Sequence, residues 1–189
     1  GNIGIGRGAG AVNVTGTLNT YVGHQAGYGT GGGSNSNNVG IGANSLLSIN
    51  NGANNVAVGA LSLDALTTGS QNTGIGDSAL GATVDGASNT AVGAYAMSGG
   101  DVHLYNTAIG SQSLSDNTGS SNTALGFQSG NTGTNDITSG IENTLIGSQT
   151  SASSATATNQ TVIGKGATGQ ADNSVTLGNG DVTKVYMSQ

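Results

Sequence analysis

Residues 106–110 read NTAIG, and the same phrase stands at 89–93 as NTAVG, at 72–76 as NTGIG and at 55–59 as NVAVG. Working outward, NVGIG (38–42), NTYVG (19–23) and NIGIG (2–6) precede these, and NTALG (122–126) and NTLIG (143–147) follow. Two looser copies, QTVIG (160–164) and SVTLG (174–178), complete a set of eleven. The closing glycines are Gly6, Gly23, Gly42, Gly59, Gly76, Gly93, Gly110, Gly126, Gly147, Gly164 and Gly178, at intervals of 17, 19, 17, 17, 17, 17, 16, 21, 17 and 14. Self-similarity at a fixed short period marks a repeat architecture. Seventeen residues are too few for a pair of helices and suit one turn of a β-solenoid.

Within the phrase, β-branched residues sit two apart, as in Val39 and Ile41, Val56 and Val58, or Thr107 and Ile109. That is the alternation of a strand. The residue between them is small (Gly40, Ala57, Gly74, Ala91, Ala108, Ala124). With the β-branched pair read as the lining of the coil, the small residues form a second face open to close approach by another chain. The terminal glycine serves a positive-φ turn or makes room for neighbouring backbone. Three residues later comes Ala or Ser, often followed by Leu or Met (Leu46, Leu63, Leu80, Met97, Leu114), read here as a second short strand.

Stacking aligns equivalent residues. Asn19, Asn38, Asn55, Asn72, Asn89, Asn106, Asn122 and Asn143 form a ladder of amides along the stack, with Asn2 at its start. The longer connectors 28–37 and 131–140 are loops on the column and mark no domain boundary. The reading is one all-β domain over 1–189, a parallel β-roll of about eleven coils. Thin coils with one aliphatic pair each and almost no aromatics bury little apolar surface, so the chain is expected to be an obligate homo-oligomer; three copies are expected, although the period itself sets no number.

These repeats resemble the head repeats of trimeric autotransporter adhesins (YadA-like heads) and the related repeats of bacteriophage and phage-like tail fibres. The resemblance spans essentially the whole chain. It implies a left-handed parallel β-roll, a homotrimer, an extracellular or virion location, and a rigid rod that presents binding loops to a cell-surface glycan or protein receptor. Receptor contacts are then expected in the connectors, chiefly 28–37, 81–88, 98–105 and 131–140. The stretch NSVTLGNGDVTKVYMSQ (173–189) is similar to the last coil before a self-cleaving trimerisation chaperone, which implies a processed part of a longer fibre protein. The 17-residue period and the absence of a heptad stalk or membrane anchor favour a tail fibre or another extracellular fibre, with an adhesin head as the alternative.

Composition narrows the chemistry. The chain of 189 residues has 36 Gly, no Pro, Cys or Trp, 6% charged residues and a net charge of −6. Three basic residues (Arg7, Lys165, Lys184) make no stripe for nucleic acid or an anionic membrane. No apolar run is long enough to span a bilayer. Without cysteine there is neither a disulfide nor a thiolate metal site. The stretch GIGRGAG (4–10) has the spacing of a phosphate loop but belongs to the repeat. The eight Asp residues occupy no fixed repeat position, and His24 and His103 are coils apart. No catalytic, metal or cofactor residue is therefore assigned, and an enzyme is not expected. The scarce Tyr21, Tyr28, Tyr95 and Tyr105 are read as space-fillers at a coil edge or between chains ahead of glycan contacts.

Two further readings stand beside the fibre. Coils left uncapped at both ends would let rods join into an extracellular fibril. Thr20, Thr73, Thr90, Thr107, Thr123, Thr144 and Thr161 form a row like that of ice-binding solenoids, although Val or Ile at 3, 39, 56 and 175 points to an inward or interfacial row.

Overall fold

The computed structural model describes residues 1–101 and 103–186. Eleven short strands carry the eleven phrases: β1 (Ile3–Ile5), β2 (Thr20–Val22), β3 (Val39–Ile41), β4 (Val56–Val58), β5 (Thr73–Ile75), β6 (Thr90–Val92), β7 (Thr107–Ile109), β8 (Thr123–Leu125), β9 (Thr144–Ile146), β10 (Gln160–Ile163) and β11 (Ser174–Leu177). They form one parallel sheet in strict chain order, the topology of a β-solenoid of about ten turns. Register is exact across repeats: Gly40 pairs with Ala57, Ala57 with Gly74, Gly74 with Ala91 and Ala91 with Ala108. At about 4.8 Å per step the ten steps give a column of roughly 48 Å. Longer connectors are absorbed without loss of register, since β8 and β9 pair across the 21-residue repeat as tightly as their neighbours.

The facing of the strand reverses the expectation. The small central residue points inward: Ala57, Ala91, Ala108 and Ala124 are fully buried, and the β-branched residues flanking them are half-buried or exposed. The cause is the Leu or Met nine places into the repeat. Leu46, Leu63, Leu80, Met97 and Leu114 are fully buried and stack into an internal ladder. Ile49, Leu66 and Ile137 are buried beside them. With that volume taken, the central strand position has room for little more than a methyl group. A Cβ at Gly74 would already lie 2.8 Å from Ser62 Oγ and 3.3 Å from Leu63 Cγ.

The stretch after the glycine is a turn, where a second strand was expected. It continues the coil-to-coil hydrogen bonding nonetheless, with Leu46 N donating to Ser62 O, Leu63 N to Ala79 O, and Leu80 N to Ala96 O, each at 3.0 Å. The buried Leu and Met take φ between 47 and 55°. This left-handed conformation costs a non-glycine residue about 1–3 kcal/mol, and the tightness of the turn together with burial of the side chain holds it in place.

Candidate functional site

The repeat asparagines meet as expected. In each of Asn19, Asn38, Asn55, Asn72, Asn89, Asn106, Asn122 and Asn143, the backbone N–H donates to Oδ1 of the preceding ladder residue at 2.8–3.1 Å. The side-chain Nδ2 also reaches a backbone carbonyl late in its own coil at 2.7–2.9 Å. One side chain thus closes its own turn and docks the next. All eight are buried, and burial is tolerable because donors and acceptors are both used.

The first ladder asparagine in the sequence, Asn2, accepts from Asn19 N and Nδ2. Gln160 ends the ladder: its N–H donates to Asn143 Oδ1, but its amide turns aside to Ser153 and Asp172.

The glycines at 23, 42, 59, 76, 93, 110, 126, 147 and 164 repeat one conformation, with φ between 134 and 140°. Both anticipated reasons apply, as Gly76 illustrates: φ is 134°, and an added Cβ would sit 2.6 Å from the carbonyl carbon of Gly93 in the next coil. Gly178 departs, with φ of 81° and Val182 packed where the next coil would stack, so the row ends there.

Three surfaces remain for function. The first is the outer strand face. Thr73, Thr90, Thr107, Thr123, Thr144 and Thr161 lie in register over six successive coils. Beside them runs a row of Val, Ile and Leu, of which Ile41, Ile75, Ile109 and Ile163 keep 39–41% of their surface exposed. None of the eleven strands contains a charged residue. The Thr row is thus outward and half-exposed, against the inward alternative.

The second surface is the turn after each glycine. Its outer row contains Gln112, Gln128 and Gln149, linked by Gln128 Nε2 to Gln112 Oε1 at 2.9 Å and Gln149 Nε2 to Gln128 Oε1 at 3.4 Å. Tyr95 precedes them in the same row, 48% exposed, and Phe127 adjoins Gln128, 47% exposed. This row follows the repeat spacing, but its mixed residue types hid it from the sequence reading. The third surface comprises the connectors. Of those singled out for contact, 28–37 has Gly31 and Gly32 in open space, as 131–140 has Gly133; within 98–105, Val102 lies outside the described residues, as do the last three residues of 173–189.

The tyrosines divide between roles. Tyr21 is a core residue, its hydroxyl donating to Asn35 Oδ1 at 2.7 Å, and burial raises its pKa. Tyr28, Tyr95 and Tyr105 are exposed. The histidines also separate: His24 is on the surface, while His103 is fully buried with Nε2 3.1 Å from Gly100 O. Among the described residues neither His103 Nδ1 nor Thr83 Oγ1 in the adjacent coil has a hydrogen-bond partner. Among the described residues no three His, Cys, Asp or Glu side chains gather as a metal site, and no helix is long and apolar enough to cross a membrane. The stretch 4–10 is strand and turn, with no helix behind it to receive a phosphate.

No protein-family model matches the chain, and no curated protein matches it.

Proposed function

We propose that the chain is a structural and adhesive module of a homotrimeric extracellular or virion fibre, a rigid rod that holds receptor-binding surfaces away from its base. The observation that carries this reading is the outer strand face. It is uncharged along the column, and its Ile row keeps about two-fifths of its surface exposed in the single chain. Exposed apolar patches beyond a few hundred Å² are uncommon on monomers and mark association surfaces. Parallel packing of identical columns around a rotation axis covers this face on every copy and closes the assembly. The interface therefore belongs to the β-branched residues, and the small residues fill the coil. Three copies, as in the resembling adhesin heads and tail fibres, let weak receptor contacts add through effective concentration.

Light scattering on the purified chain tests this. The expected mass is three times the 18.1 kDa of one chain, and Ile75→Asp with Ile109→Asp is expected to reduce it to one. A monomeric wild-type chain would overturn the reading. One observation favours a second: six outward threonines in register make a regular face suited to ice. Thermal hysteresis above that of a control protein would support it. End-to-end fibril growth gains less support, because the amide ladder stops at Gln160.

A further inference from the structure

Over four successive coils the turn face is free of charged side chains and carries amide and aromatic side chains. Segments 94–98, 111–115, 127–131 and 148–152 contain no Asp, Glu, Lys, Arg or His, and exposed Asp77 and Lys165 occupy the coils on either side. Across this tract run Tyr95, Gln112, Gln128 and Gln149, one per coil, with Phe127 beside Gln128. The hydrogen bonds along the row hold the three amides in a fixed line. An amide that gives one N–H to its neighbour keeps a second N–H, and its carbonyl keeps a lone pair, so each still offers a donor and an acceptor to a ligand. Tyr95 and Phe127 are each about half exposed, and an aromatic ring's quadrupole attracts C–H groups to its face.

A neutral ligand with hydroxyl groups along its edges and C–H groups on its faces matches this chemistry, and a linear polysaccharide has both. Spacing selects the linkage. Coils repeat at about 4.8 Å, close to the advance per ring of an extended β-(1→4)-linked pyranose chain. Alternate rings of such a chain are flipped, so like faces recur every second ring; Tyr95, two places after Gly93, and Phe127, one place after Gly126, belong to coils two apart. We propose that this face binds a neutral β-(1→4)-linked polysaccharide lying parallel to the column, one ring per coil, with the glutamine amides bonding its hydroxyls. The proposal rests on the fibre reading for its purpose, supplying that fibre with a ligand class. It places contact on the coil body, outside the connectors.

Calorimetric titration of the full chain with cellohexaose, chitohexaose and maltohexaose tests it. At least one of the β-(1→4) hexamers is expected to bind, and maltohexaose, whose α-linkages curve the chain, is not. Tyr95→Ala and Phe127→Ala, both at exposed positions, should each weaken binding at least tenfold with an unchanged circular dichroism spectrum. Tyr105→Ala, outside the turn row, should leave it unchanged. Absence of binding by both β-linked hexamers, equal binding of maltohexaose, or undiminished binding by the Tyr95 and Phe127 variants would overturn the proposal. None of those results alters the mass measured by light scattering, so this proposal and the trimeric fibre fail separately.

Discussion

The ring of Tyr21 fills the space into which a Cβ at Gly27 would project. In β3 to β7 the strand centre is Gly or Ala and the Leu or Met lies six residues on, as in Ala57 with Leu63 or Ala91 with Met97. In β2 the large residue has moved to the strand and the turn has given up its side chain. Leu145 makes the same exchange with Gly130 of the preceding coil, where a Cβ would lie 3.1 Å from Leu145 Cδ1. Interior volume is supplied from either side of a coil, or from the coil beside it.

This exchange is testable by transplanting the majority arrangement. Tyr21→Ala alone should cost about 3–5 kcal/mol through the cavity it leaves. Gly27→Leu alone should be comparably harmful through overlap with the ring. The double variant should be more stable than either single one, because the backbone at Gly27 (φ 57°) is already the one Leu46 adopts (φ 51°). Urea midpoints of the four proteins measure the coupling; additive losses would contradict it.

Asn72 gives the amide ladder an energetic scale. Its side chain accepts from Asn89 N at 3.1 Å and Nδ2 at 3.0 Å, and donates to Asn55 Oδ1 at 3.2 Å and Gly86 O at 2.7 Å. Asn72→Ala strands a buried N–H and a buried carbonyl, for a loss of roughly 2–5 kcal/mol. Asn2→Ala, at an exposed ladder residue of this chain, should cost under about 1 kcal/mol because truncating an exposed side chain lets water in to Asn19 N–H and Gly16 O. Equal losses at the two sites would mean that burial does not set the cost.

The period, the strands, the amide ladder and the close approach at the glycines were all legible in the sequence, because each residue recurs where stacking needs it. The direction of the strand was not. Alternation shows that Val39 and Ile41 share a face, and says nothing about whether that face or Gly40's points inward. Leu46 decides the matter by occupying the interior, but its left-handed backbone runs against its propensity and made the turn look like a strand. The compensation between Tyr21 and Gly27 was also written in the chain, visible only when two positions are compared within one coil. The glutamine row of the turn face kept the repeat spacing under varied residue types, so no single recurring letter marked it.

Gly76→Ala separates steric from conformational cost. The new Cβ would meet backbone of Gly93 at 2.6 Å, and relief requires coils β5 and β6 to part. A loss above about 4 kcal/mol, among the largest single-residue effects, is expected. Gly32→Ala takes a φ of 71° with open space around it and should cost only about 1 kcal/mol, from the dihedral alone. Thermal midpoints that fall equally for both would place the cost in the dihedral.

His103 makes stability depend on pH in a predictable direction. It stands where other coils have Gly69, Gly86 or Gly119 as the carbonyl partner of the ladder, and its ring lies over Gly100, where a Cβ would be 2.8 Å from Cε1. Burial holds its pKa below the ordinary 6.5, against opposing contributions from the carbonyls of Gly100 and Gly99 and the charge of Asp101. As pH falls below about 6.5 the unfolded chain binds a proton that the folded chain refuses, so stability declines until the folded pKa is reached. Asp64, whose pKa is raised by burial, works in the opposite direction, and Asp85, lowered by bonds from Thr68 and Thr67, adds to the decline. Both aspartates are common to the wild type and His103→Gln, a substitution that keeps an N–H to offer Gly100 O. Comparing the two proteins therefore isolates the imidazole: between pH 7.5 and 5 the thermal midpoint should drop further for the wild type than for the variant. Parallel pH curves would show that His103 takes up its proton as readily inside the coil as outside it.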